Sequence, residues 1–206
     1  MANSQLIFIT GGARSGKSSF AESYATKAIA AKKQGALYYL ATSRPTDDEM
    51  KERIKRHRQL RQKSGQQWHT IECPNDLLTA SHLFRRGDVV LLDCLTILLT
   101  NELFRGDFEE SAWQQQKFQQ EVVQSILDGI RQIQGGEITL LVVSNEVLNH
   151  PMHDQPLVQA YSRLLGKLHQ QIVDMASEAY MVETGIPILM KGVPADEGNY
   201  GARYGI

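Results

Sequence analysis

The sequence has little cysteine, no long apolar run and almost no net charge. Its two cysteines, Cys73 and Cys94, lie far apart and outside any C-x-x-C pattern, which favours a reducing compartment over a disulfide framework. No stretch approaches the ~20 apolar residues that a membrane-spanning helix needs. The start, MANSQ, lacks the basic and apolar regions of a signal peptide. We therefore expect a soluble, cytoplasmic protein without a membrane partner.

The charge balance excludes a general attraction to polyanions. The chain has 206 residues, of which 22 are basic and 23 acidic, so its formal net charge is -1. Such a surface offers nucleic acid no long-range attraction, and any basic site must be local. With 42% hydrophobic residues, the chain can build one domain with a substantial core. We expect that domain at residues 1–191 and a glycine-rich tail at residues 192–206.

Apolar runs alternate with helical patterns along the chain. The runs typical of buried strands are Leu6 to Thr10, Ala36 to Ala41, Val89 to Asp93 and Ile138 to Val143. The helical patterns cover Ser18 to Lys33, Ser111 to Gln134 and Pro156 to Ala176. Near the end, AYMVE and IPILM are joined by a Thr-Gly turn, which predicts a short hairpin. The order predicts an α/β domain with a mainly parallel central sheet flanked by helices, whose ligands bind at the carboxyl ends of the strands.

A complete P-loop pattern follows the first predicted strand and opens the first helix. Its residues are Gly11, Gly12, Ala13, Arg14, Ser15, Gly16, Lys17 and Ser18. In this motif, successive backbone N–H groups and the helix N-terminus bind phosphate oxygens. Lys17 is expected to reach the β- and γ-phosphates and the Ser18 hydroxyl to bind Mg²⁺, while Arg14 either contacts phosphate or faces solvent. The motif therefore predicts a nucleoside triphosphate and Mg²⁺ as ligands.

Asp93 ends the apolar run DVVLLD, where the second Mg²⁺ ligand of a P-loop protein, the Walker-B acid, is found. An aspartate at this position can also cap the helix predicted in CLTILLTN. We favour the metal ligand, because the P-loop needs such a carboxylate. Neither motif identifies the group that receives the phosphoryl group.

A basic segment follows the second predicted strand. Thr46 and Glu49 have the spacing of a capping box, which predicts a helix that begins there. The residues beyond the cap are mainly lysine and arginine, as in a solvated helix face or a local anion site. One face of this helix would carry the residues that recur at helical spacing, namely Met50, Ile54, His57 and Arg61.

The inward direction of His57 has two interpretations. It is either a core histidine or a nucleophile whose neutral imidazole attacks an α-phosphorus and forms a nucleotidyl-histidine. The second interpretation needs cations around the phosphates, which Arg56, Arg58 and Arg61 would supply. The residues alone do not separate the two.

Together these motifs resemble the bifunctional adenosylcobinamide kinase and adenosylcobinamide-phosphate guanylyltransferase family of cobalamin biosynthesis. The resemblance rests on TGGARSGKS, YLATS, DDEMKERIKRHR, WHTIECP, VVLLDCLTILLTNELF and VVSNEV, in the family's order. It implies an enzyme that phosphorylates adenosylcobinamide with ATP or GTP and then transfers GMP from GTP to adenosylcobinamide phosphate, giving adenosylcobinamide-GDP. It also implies a RecA-like P-loop fold and a homotrimer.

The resemblance assigns roles to particular residues. His57, in Arg-Ile-x-x-His-Arg, matches the family's guanylylated histidine, and Lys17 is the other expected catalytic residue. Ser18 and Asp93 would bind Mg²⁺. Besides the P-loop, the expected nucleotide contacts are Ala41, Thr42, Ser43, Arg58, Gln59, Leu60, Arg61, Glu72 and Asp93.

The sequence departs from the family pattern in its second half. After Val147 it continues with Leu148, Asn149, His150 and Pro151, where the family has a glycine and a Val-Pro element. Tyr161-Ser162-Arg163 stands for a family Phe-Arg-Asp element, and His169-Gln170 for an Asn-Gln element. These changes concern corrinoid docking or subunit contacts more than nucleotide binding. They motivate an alternative, a kinase that retains one activity or uses another alcohol.

Two weaker interpretations remain at the sequence level. The basic segment would suit a nucleotide-dependent nucleic-acid-binding protein, although the neutral net charge argues against it. His150 and His153 have the spacing of a metal pair, but they lie in a proline-containing loop without a third ligand. We therefore expect neither nucleic acid nor a metal at these residues.

Overall fold

The computed structural model describes residues 4–32, 34–43, 61, 65–106, 111–146 and 155–193. The strands are β1 (Gln5–Gly11), β2 (Leu37–Ala41), β3 (Trp68–Glu72), β4 (Val89–Asp93), β5 (Thr139–Asn145), β6 (Glu178–Glu183) and β7 (Ile186–Lys191). The helices are α1 (Lys17–Ala30), α2 (Leu77–Ser81), α3 (Leu95–Leu103), α4 (Gln116–Gly135) and α5 (Pro156–Met175), and a 3-10 turn covers Ala112–Gln114.

The described strands form one sheet in the order β3-β2-β4-β5-β1-β6-β7. Every neighbouring pair is parallel except β6 and β7, which are antiparallel. β5 therefore separates the P-loop strand β1 from β4, which ends in Asp93. The sheet and its hairpin confirm the predicted RecA-like α/β fold with a mainly parallel sheet and a C-terminal hairpin.

Both faces of the central strands are buried, which explains their almost continuous apolar sequence. Leu6 and Phe8 point to the face covered by α2, α3, α4 and α5. Ile7 and Ile9 point to the opposite face, where α1 packs. The alternation places an apolar layer on each side of the sheet and leaves the strand ends free to carry polar groups.

The amphipathic pattern of α4 was predicted correctly. The residues at four-residue spacing that define it, Phe118, Val122, Ile126 and Ile130, are all buried. The helix begins at Gln116 and not at Ser111, because a 3-10 turn occupies Ala112–Gln114. Its C-cap is Gly136, as the glycines there predict.

The remaining differences from the sequence prediction concern short elements and boundaries. Helix α1 begins at Lys17 and ends at Ala30, earlier than the predicted Lys33. Neither β3 nor α2 was predicted, and each is only five residues long. The helix predicted to begin at Thr46, the His150 and His153 pair and the tail from residue 194 lie outside the described residues.

The structure also describes the two cysteines and the hydropathy of the helices. Cys73 and Cys94 are free thiols, both buried, and burial raises the pKa of the Cys73 thiol to about 11. Among the described helices, none combines the length and hydropathy needed to cross a membrane.

Candidate active site

The carboxyl ends of the parallel strands place the predicted nucleotide residues along one edge of the sheet. Ala41, which ends β2, lies opposite Glu72 on one side and Asp93 on the other. Gly11, at the end of β1, lies opposite Asn145 of β5. This is the edge at which open α/β sheets bind ligands.

The P-loop has the geometry of a phosphate cradle. Arg14 has a φ of 60° and Gly16 a φ of 91°, so the chain reverses through left-handed conformations before α1. Gly16 is the N-cap, so no side chain caps the start of α1, which is the kind of helix end that binds phosphate. The Lys17 ammonium is buried in the loop and donates to the Gly12 carbonyl oxygen at 3.0 Å.

The C-terminal hairpin supports this loop. Its two-residue turn, Thr184-Gly185, has positive φ at both positions, as a type I′ turn requires. The Gly185 N–H donates to the Ser15 carbonyl oxygen at 2.8 Å. A Cβ on Gly16 would lie 3.1 Å from the Gly185 Cα, and one on Gly11 would collide with the Val182 carbonyl oxygen. Because the P-loop glycines have no side chains, they leave room for the hairpin as well as for a phosphate.

Several polar atoms at this edge fit a nucleotide with Mg²⁺. The buried hydroxyls of Thr10 and Ser15 have no hydrogen-bond partner in the part of the chain that the structure describes. No group of three or more His, Cys, Asp or Glu side chains there could hold a metal ion. A P-loop site does not need such a group, because Mg²⁺ takes one hydroxyl, a carboxylate and the phosphates of the substrate.

Asp93 is not a helix cap. The N-cap of α3 is Cys94, and no side chain caps that helix end. One carboxylate oxygen of Asp93, Oδ2, accepts a hydrogen bond from the Tyr39 hydroxyl at 3.0 Å. Burial, the nearby Asp93 carboxylate and its hydrogen bond raise the pKa of Tyr39 well above its ordinary value, although Arg61 opposes this shift. Tyr39 is therefore protonated at neutral pH and acts as the donor.

Thr42, from the Ala-Thr-Ser element, ties the end of β2 to the start of α3. Its hydroxyl accepts from the Cys94 N–H at 2.7 Å and donates to the Cys94 carbonyl oxygen at 2.8 Å. The Asn101 amide donates to the carbonyl oxygens of Thr42 and Pro74 at 2.9 and 2.7 Å. The Thr42 side chain thus holds two strand ends together, while Ser43 is half-buried.

Arg61 is the one predicted residue of the basic segment that the structure describes; His57, Arg58, Gln59 and Leu60 lie outside the described residues. Its guanidinium lies 3.7 Å from the centre of the Tyr39 ring. Nη1 of Arg61 is 3.1 Å from Oε1 of Glu22 on α1, with the Arg61 side chain 4% exposed. A cavity of about 360 Å³ adjoins this pair and is also lined by Trp68.

Of the residues that depart from the family pattern, those on α5 lie on the opposite face of the sheet, and residues 148–151 lie outside the described residues. The Tyr161 hydroxyl donates to the Thr96 carbonyl oxygen at 2.8 Å. Arg163 donates to Gln119 Oε1 at 3.1 Å and helps to line a cavity of about 630 Å³ between the starts of α4 and α5. His169 forms a 2.7 Å hydrogen bond with the Ser144 hydroxyl and is buried. Tyr161, Arg163 and His169 therefore each form a hydrogen bond with a defined partner in this protein.

Sequence reasoning missed four residues at this edge: Glu22, Tyr39, Asn101 and Gly185. The Thr-Gly turn was recognised, but nothing in the sequence indicates that it contacts the P-loop. Tyr39 could have been selected by alternation along β2, since it shares a face with Ala41, which lies opposite Asp93. The pairing of Glu22 with Arg61 has no sequence signal, because it depends on the packing of distant segments.

Comparison with known proteins identifies the family. A sequence model of the family described as cobinamide kinase / cobinamide phosphate guanyltransferase matches residues 7–190. The chain belongs to this family. The match runs from β1 into β7, so it includes both the P-loop and the basic segment. It confirms the predicted family and, with it, the prediction of a kinase and guanylyltransferase of cobalamin biosynthesis.

Relatives of similar length are found in three bacteria. The chain is 34% identical over 189 residues to the bifunctional adenosylcobalamin biosynthesis protein CobU of Escherichia coli, covering 90% of this chain and 99% of that protein. It is 31% identical over 191 residues to CobU of Salmonella typhimurium, with the same coverage. It is 32% identical over 187 residues to CobP of Pseudomonas aeruginosa, covering 90% of this chain and 97% of that protein.

The solved structures that the chain matches are more distant in sequence. The flagellar accessory protein FlaH of Methanocaldococcus jannaschii is 14% identical, with a TM-score of 0.49 over 92% of this chain and 79% of that chain. A second solved structure, an ATPase domain, is 11% identical, with a TM-score of 0.49 over 86% of this chain and 69% of that chain.

Proposed function

We propose that this protein performs both reactions for which its family is named. It phosphorylates adenosylcobinamide with a nucleoside triphosphate and then transfers GMP from GTP to adenosylcobinamide phosphate. The observation that carries the proposal is the P-loop, with Lys17 and Ser18, at the same sheet edge as Asp93. The match of the family to residues 7–190 supports both halves, because it includes the His57 segment.

In the kinase reaction, the aminopropanol hydroxyl oxygen attacks the γ-phosphorus of ATP or GTP. A new O–P bond forms, the bond from the γ-phosphorus to the bridging oxygen breaks, and the nucleoside diphosphate leaves while the hydroxyl loses its proton. The P-loop N–H groups and Lys17 hold the phosphates and stabilise the charge that develops on them. Buried Lys17, which bonds the loop carbonyl of Gly12, is preformed for this task.

In the guanylyltransferase reaction, a neutral imidazole nitrogen of His57 attacks the α-phosphorus of GTP. An N–P bond forms, the α–β bridging P–O bond breaks and pyrophosphate leaves. A phosphate oxygen of adenosylcobinamide phosphate then attacks the same phosphorus, so that an O–P bond replaces the N–P bond and adenosylcobinamide-GDP is released. The covalent intermediate divides one difficult transfer into two easier ones.

We assign Mg²⁺ binding to the Ser18 hydroxyl and the Asp93 carboxylate. Bound Mg²⁺ supplies positive charge that stabilises the phosphate oxygens during transfer. Asp93 keeps Oδ1 available, since only Oδ2 accepts a hydrogen bond from the residues that the structure describes. The remaining nucleotide contacts that the family resemblance implies, and that we propose, are Ala41, Thr42, Ser43, Glu72 and Arg58 to Arg61.

We also propose that the enzyme is a cytoplasmic homo-oligomer, a trimer by family resemblance. Two buried, free thiols support a reducing compartment. Ile186, Ile188 and Met190 are exposed at alternate positions of the edge strand β7. Because an exposed apolar edge strand is normally covered, this stripe supports contact with a second copy. Light scattering of the purified protein measures the number of subunits.

The departures after Val147 favour one alternative, an enzyme that retains one activity or uses another alcohol. Separate turnover assays with adenosylcobinamide and with adenosylcobinamide phosphate distinguish it from the bifunctional enzyme. Turnover of both substrates supports the main proposal. Turnover of one substrate alone supports the alternative.

The guanylyltransferase half is tested by incubating the protein with α-labelled GTP and Mg²⁺. We expect an acid-labile, base-stable covalent GMP adduct that His57→Asn abolishes. The matched control is His69→Asn, because His69 is an exposed histidine on β3. An adduct that survives His57→Asn, or no adduct in the unmodified protein, would contradict this half while leaving the kinase assay informative.

A further inference from the structure

The larger cavity, of about 630 Å³, lies between the starts of α4 and α5. This volume is within the range of roughly 300 to 1,000 Å³ that small-molecule sites occupy. Among the described residues that line the cavity, none belongs to the P-loop or to the other nucleotide contacts that we propose. The proposed nucleotide site therefore leaves this cavity without an assigned ligand.

The cavity lies at the same edge of the sheet as the P-loop. Helix α5 runs from the carboxyl end of β5 to the amino end of β6, and both strands are parallel to β1, so the start of α5 lies at the carboxyl edge. The Tyr161 hydroxyl, in the second turn of α5, donates to the Thr96 carbonyl oxygen at 2.8 Å. Thr96 lies in the first turn of α3, which follows Asp93. A ligand in the cavity would therefore lie beside the edge that carries Asp93, on the face opposite α1.

A buried amide holds two sides of the cavity together. Gln119 is 5% exposed. Its Nε2 donates to the Trp113 carbonyl oxygen at 2.7 Å, and its Oε1 accepts from Nη2 of Arg163 at 3.1 Å. A buried amide whose donor and acceptor are both used keeps its partners in one arrangement. The contacts of Gln119 therefore fix the 3-10 turn and α5 relative to α4 on both sides of the cavity.

Three further glutamines, Gln114, Gln155 and Gln159, bring amide groups to the cavity. All three are exposed. Gln155 is the N-cap of α5, yet its side chain forms no capping hydrogen bond. Each glutamine amide carries two N–H donors and a carbonyl acceptor, so it can both donate to and accept from the same kind of group on a ligand.

The lining is suited to a neutral ligand that carries amides. Of the described residues around the cavity, four are glutamines, one is an arginine and none is acidic. Trp113 and Leu157 add apolar side chains. A triphosphate would need more positive charge than a single guanidinium supplies. Cobinamide has the matching chemistry, because it is an apolar macrocycle whose rim carries primary amides.

We propose that this cavity binds the amide-bearing rim of the corrin ring of adenosylcobinamide. Gln114, Gln155 and Gln159 exchange hydrogen bonds with the rim amides, and Arg163 donates to an amide carbonyl oxygen. The macrocycle is larger than the cavity, so its other side, with the aminopropanol arm, lies outside it along the carboxyl edge. The inference rests on the proposed function, because it takes adenosylcobinamide as the substrate.

The first test measures corrinoid binding without turnover. Equilibrium dialysis with dicyanocobinamide, which has the same rim amides and absorbs visible light, gives a dissociation constant. The double variant Gln155→Ala and Gln159→Ala should raise this constant about tenfold, because two hydrogen bonds to the ligand are lost. The control, Gln120→Ala with Gln132→Ala, removes two exposed glutamines of α4 that do not line the cavity and should stay within about twofold. Equal constants in the two double variants would overturn the proposal.

The second test separates binding of the ring from the chemical step. Arg163→Gln removes the charge and keeps a polar side chain beside Gln119. In the kinase assay, KM for adenosylcobinamide should rise about tenfold while kcat stays within about twofold, because the lost contact is made equally in the ground state and the transition state. The matched control is Arg131→Gln, since Arg131 is an exposed arginine of α4 that bonds Asp128 at 2.8 Å. A lower kcat at unchanged KM, or equal KM values in the two variants, would contradict the proposal.

The outcomes separate this proposal from the proposed function. If the unmodified protein phosphorylates adenosylcobinamide but the cavity variants behave like their controls, the cavity proposal fails alone. If dicyanocobinamide binds but adenosylcobinamide is not phosphorylated, the kinase proposal fails, and dialysis still decides the cavity. Absence of binding to the unmodified protein would overturn both.

A second copy of this chain is the other occupant to be tested. Light scattering of the double glutamine variant measures the number of subunits. A changed number with an unchanged dicyanocobinamide constant would assign the cavity to a subunit contact and overturn the proposal. Thermal unfolding shows whether Arg163→Gln is folded, and the dialysis comparison, which replaces only exposed side chains, decides the proposal if it is not.

Discussion

The two ends of β4 carry aspartates that serve different purposes. Asp88 precedes the strand at the amino edge, where Oδ1 accepts from the Ala36 N–H at 2.8 Å and Oδ2 from the Arg85 N–H at 2.7 Å. Asp93 ends the strand at the carboxyl edge, where Tyr39 binds only Oδ2. Both oxygens of Asp88 are occupied by the backbone, whereas Asp93 has one oxygen to offer.

The surroundings of the two aspartates strengthen the contrast. At the amino edge, the Lys32 ammonium donates to Thr139 Oγ1 at 2.9 Å, and burial lowers the pKa of Lys32 while Asp88 opposes that shift. The polar side chains of Asp88 and Lys32 at this edge are therefore hydrogen-bonded within the protein. At the carboxyl edge, the hydroxyl of Ser15 has no hydrogen-bond partner among the described residues, and no side chain caps the start of α1. We therefore assign a structural role to the polar groups at the amino edge and ligand binding to those at the carboxyl edge.

The largest effect should come from Asp93→Asn. Without the carboxylate, Mg²⁺ and the phosphates lose a ligand, and kinase turnover should fall about a hundredfold or more. Asp88→Asn is the matched control and should keep its turnover per folded molecule within about twofold. Steady-state assays on protein quantified by circular dichroism measure both. Comparable losses in the two variants would break the distinction between the edges.

Substitution of two glycines, one at each edge, tests the same difference between the edges through the backbone. A Cβ on Gly11 would collide with the Val182 carbonyl oxygen, and one on Gly35 with the Gly87 carbonyl oxygen. Each alanine variant should lose about 2 kcal/mol of unfolding free energy through crowding, and Gly35→Ala should lose more, because Gly35 also has a φ of 131°. Only Gly11→Ala, in the P-loop, should also weaken nucleotide binding, by about tenfold. Fluorescent-GTP titration would contradict this account if Gly35→Ala weakened binding as much.

Asp88→Asn should show its effect in stability. The amide nitrogen of asparagine is a donor and would face one of the two backbone N–H groups, which is then left without an acceptor. The unfolding free energy should fall by about 1 to 3 kcal/mol. Asp93→Asn should change it by less than about 1 kcal/mol, because no backbone donor in the described ranges depends on that carboxylate. Urea denaturation measures the two values, and the reverse order would refute the assignment.

The smallest effect should be the pH dependence set by His169, which is hydrogen-bonded to Ser144 of β5. Burial lowers its pKa in the folded protein, although Glu146 opposes the shift. As the pH falls below about 6.5, the unfolded chain binds a proton that the folded protein resists. Unfolding free energy should therefore decrease there, by at most about 1.4 kcal/mol per pH unit, until His169 is protonated in the folded state as well.

His169→Gln removes the imidazole that binds this proton and keeps a hydrogen-bonding group beside Ser144. Its unfolding free energy should fall less than that of the unmodified protein between pH 7 and pH 5. Denaturation at a series of pH values measures the difference. Parallel curves for the two proteins would show that His169 does not set the slope.

The sequence predicts the elements that depend on local pattern. The P-loop between strand and helix, Val89 to Asp93 as a strand, and the Thr-Gly hairpin all follow from residue types and their spacing. β3 and α2 were missed because five residues give too little periodicity. The α4 boundary was placed too early, since a 3-10 turn has almost the same pattern as a first helical turn.

The site was less predictable than the fold. The sequence predicted which residues bind phosphate, because the P-loop motif itself indicates them. It did not reveal the partners that fix them, since Gly185 on Ser15 and Tyr39 on Asp93 are contacts between distant segments. It predicted Thr42 as a nucleotide contact, but not the hydrogen bonds between its hydroxyl and the Cys94 backbone. Such contacts follow from the register of the sheet and not from any short motif.

The central claim is that one protein transfers both a phosphoryl and a guanylyl group to the same corrinoid. The most direct test isolates the labelled GMP adduct, removes free GTP and adds adenosylcobinamide phosphate. We predict that the label leaves the protein and appears in adenosylcobinamide-GDP, one GMP for each adduct lost. Label that stays on the protein, or appears only as free GMP, would contradict the account.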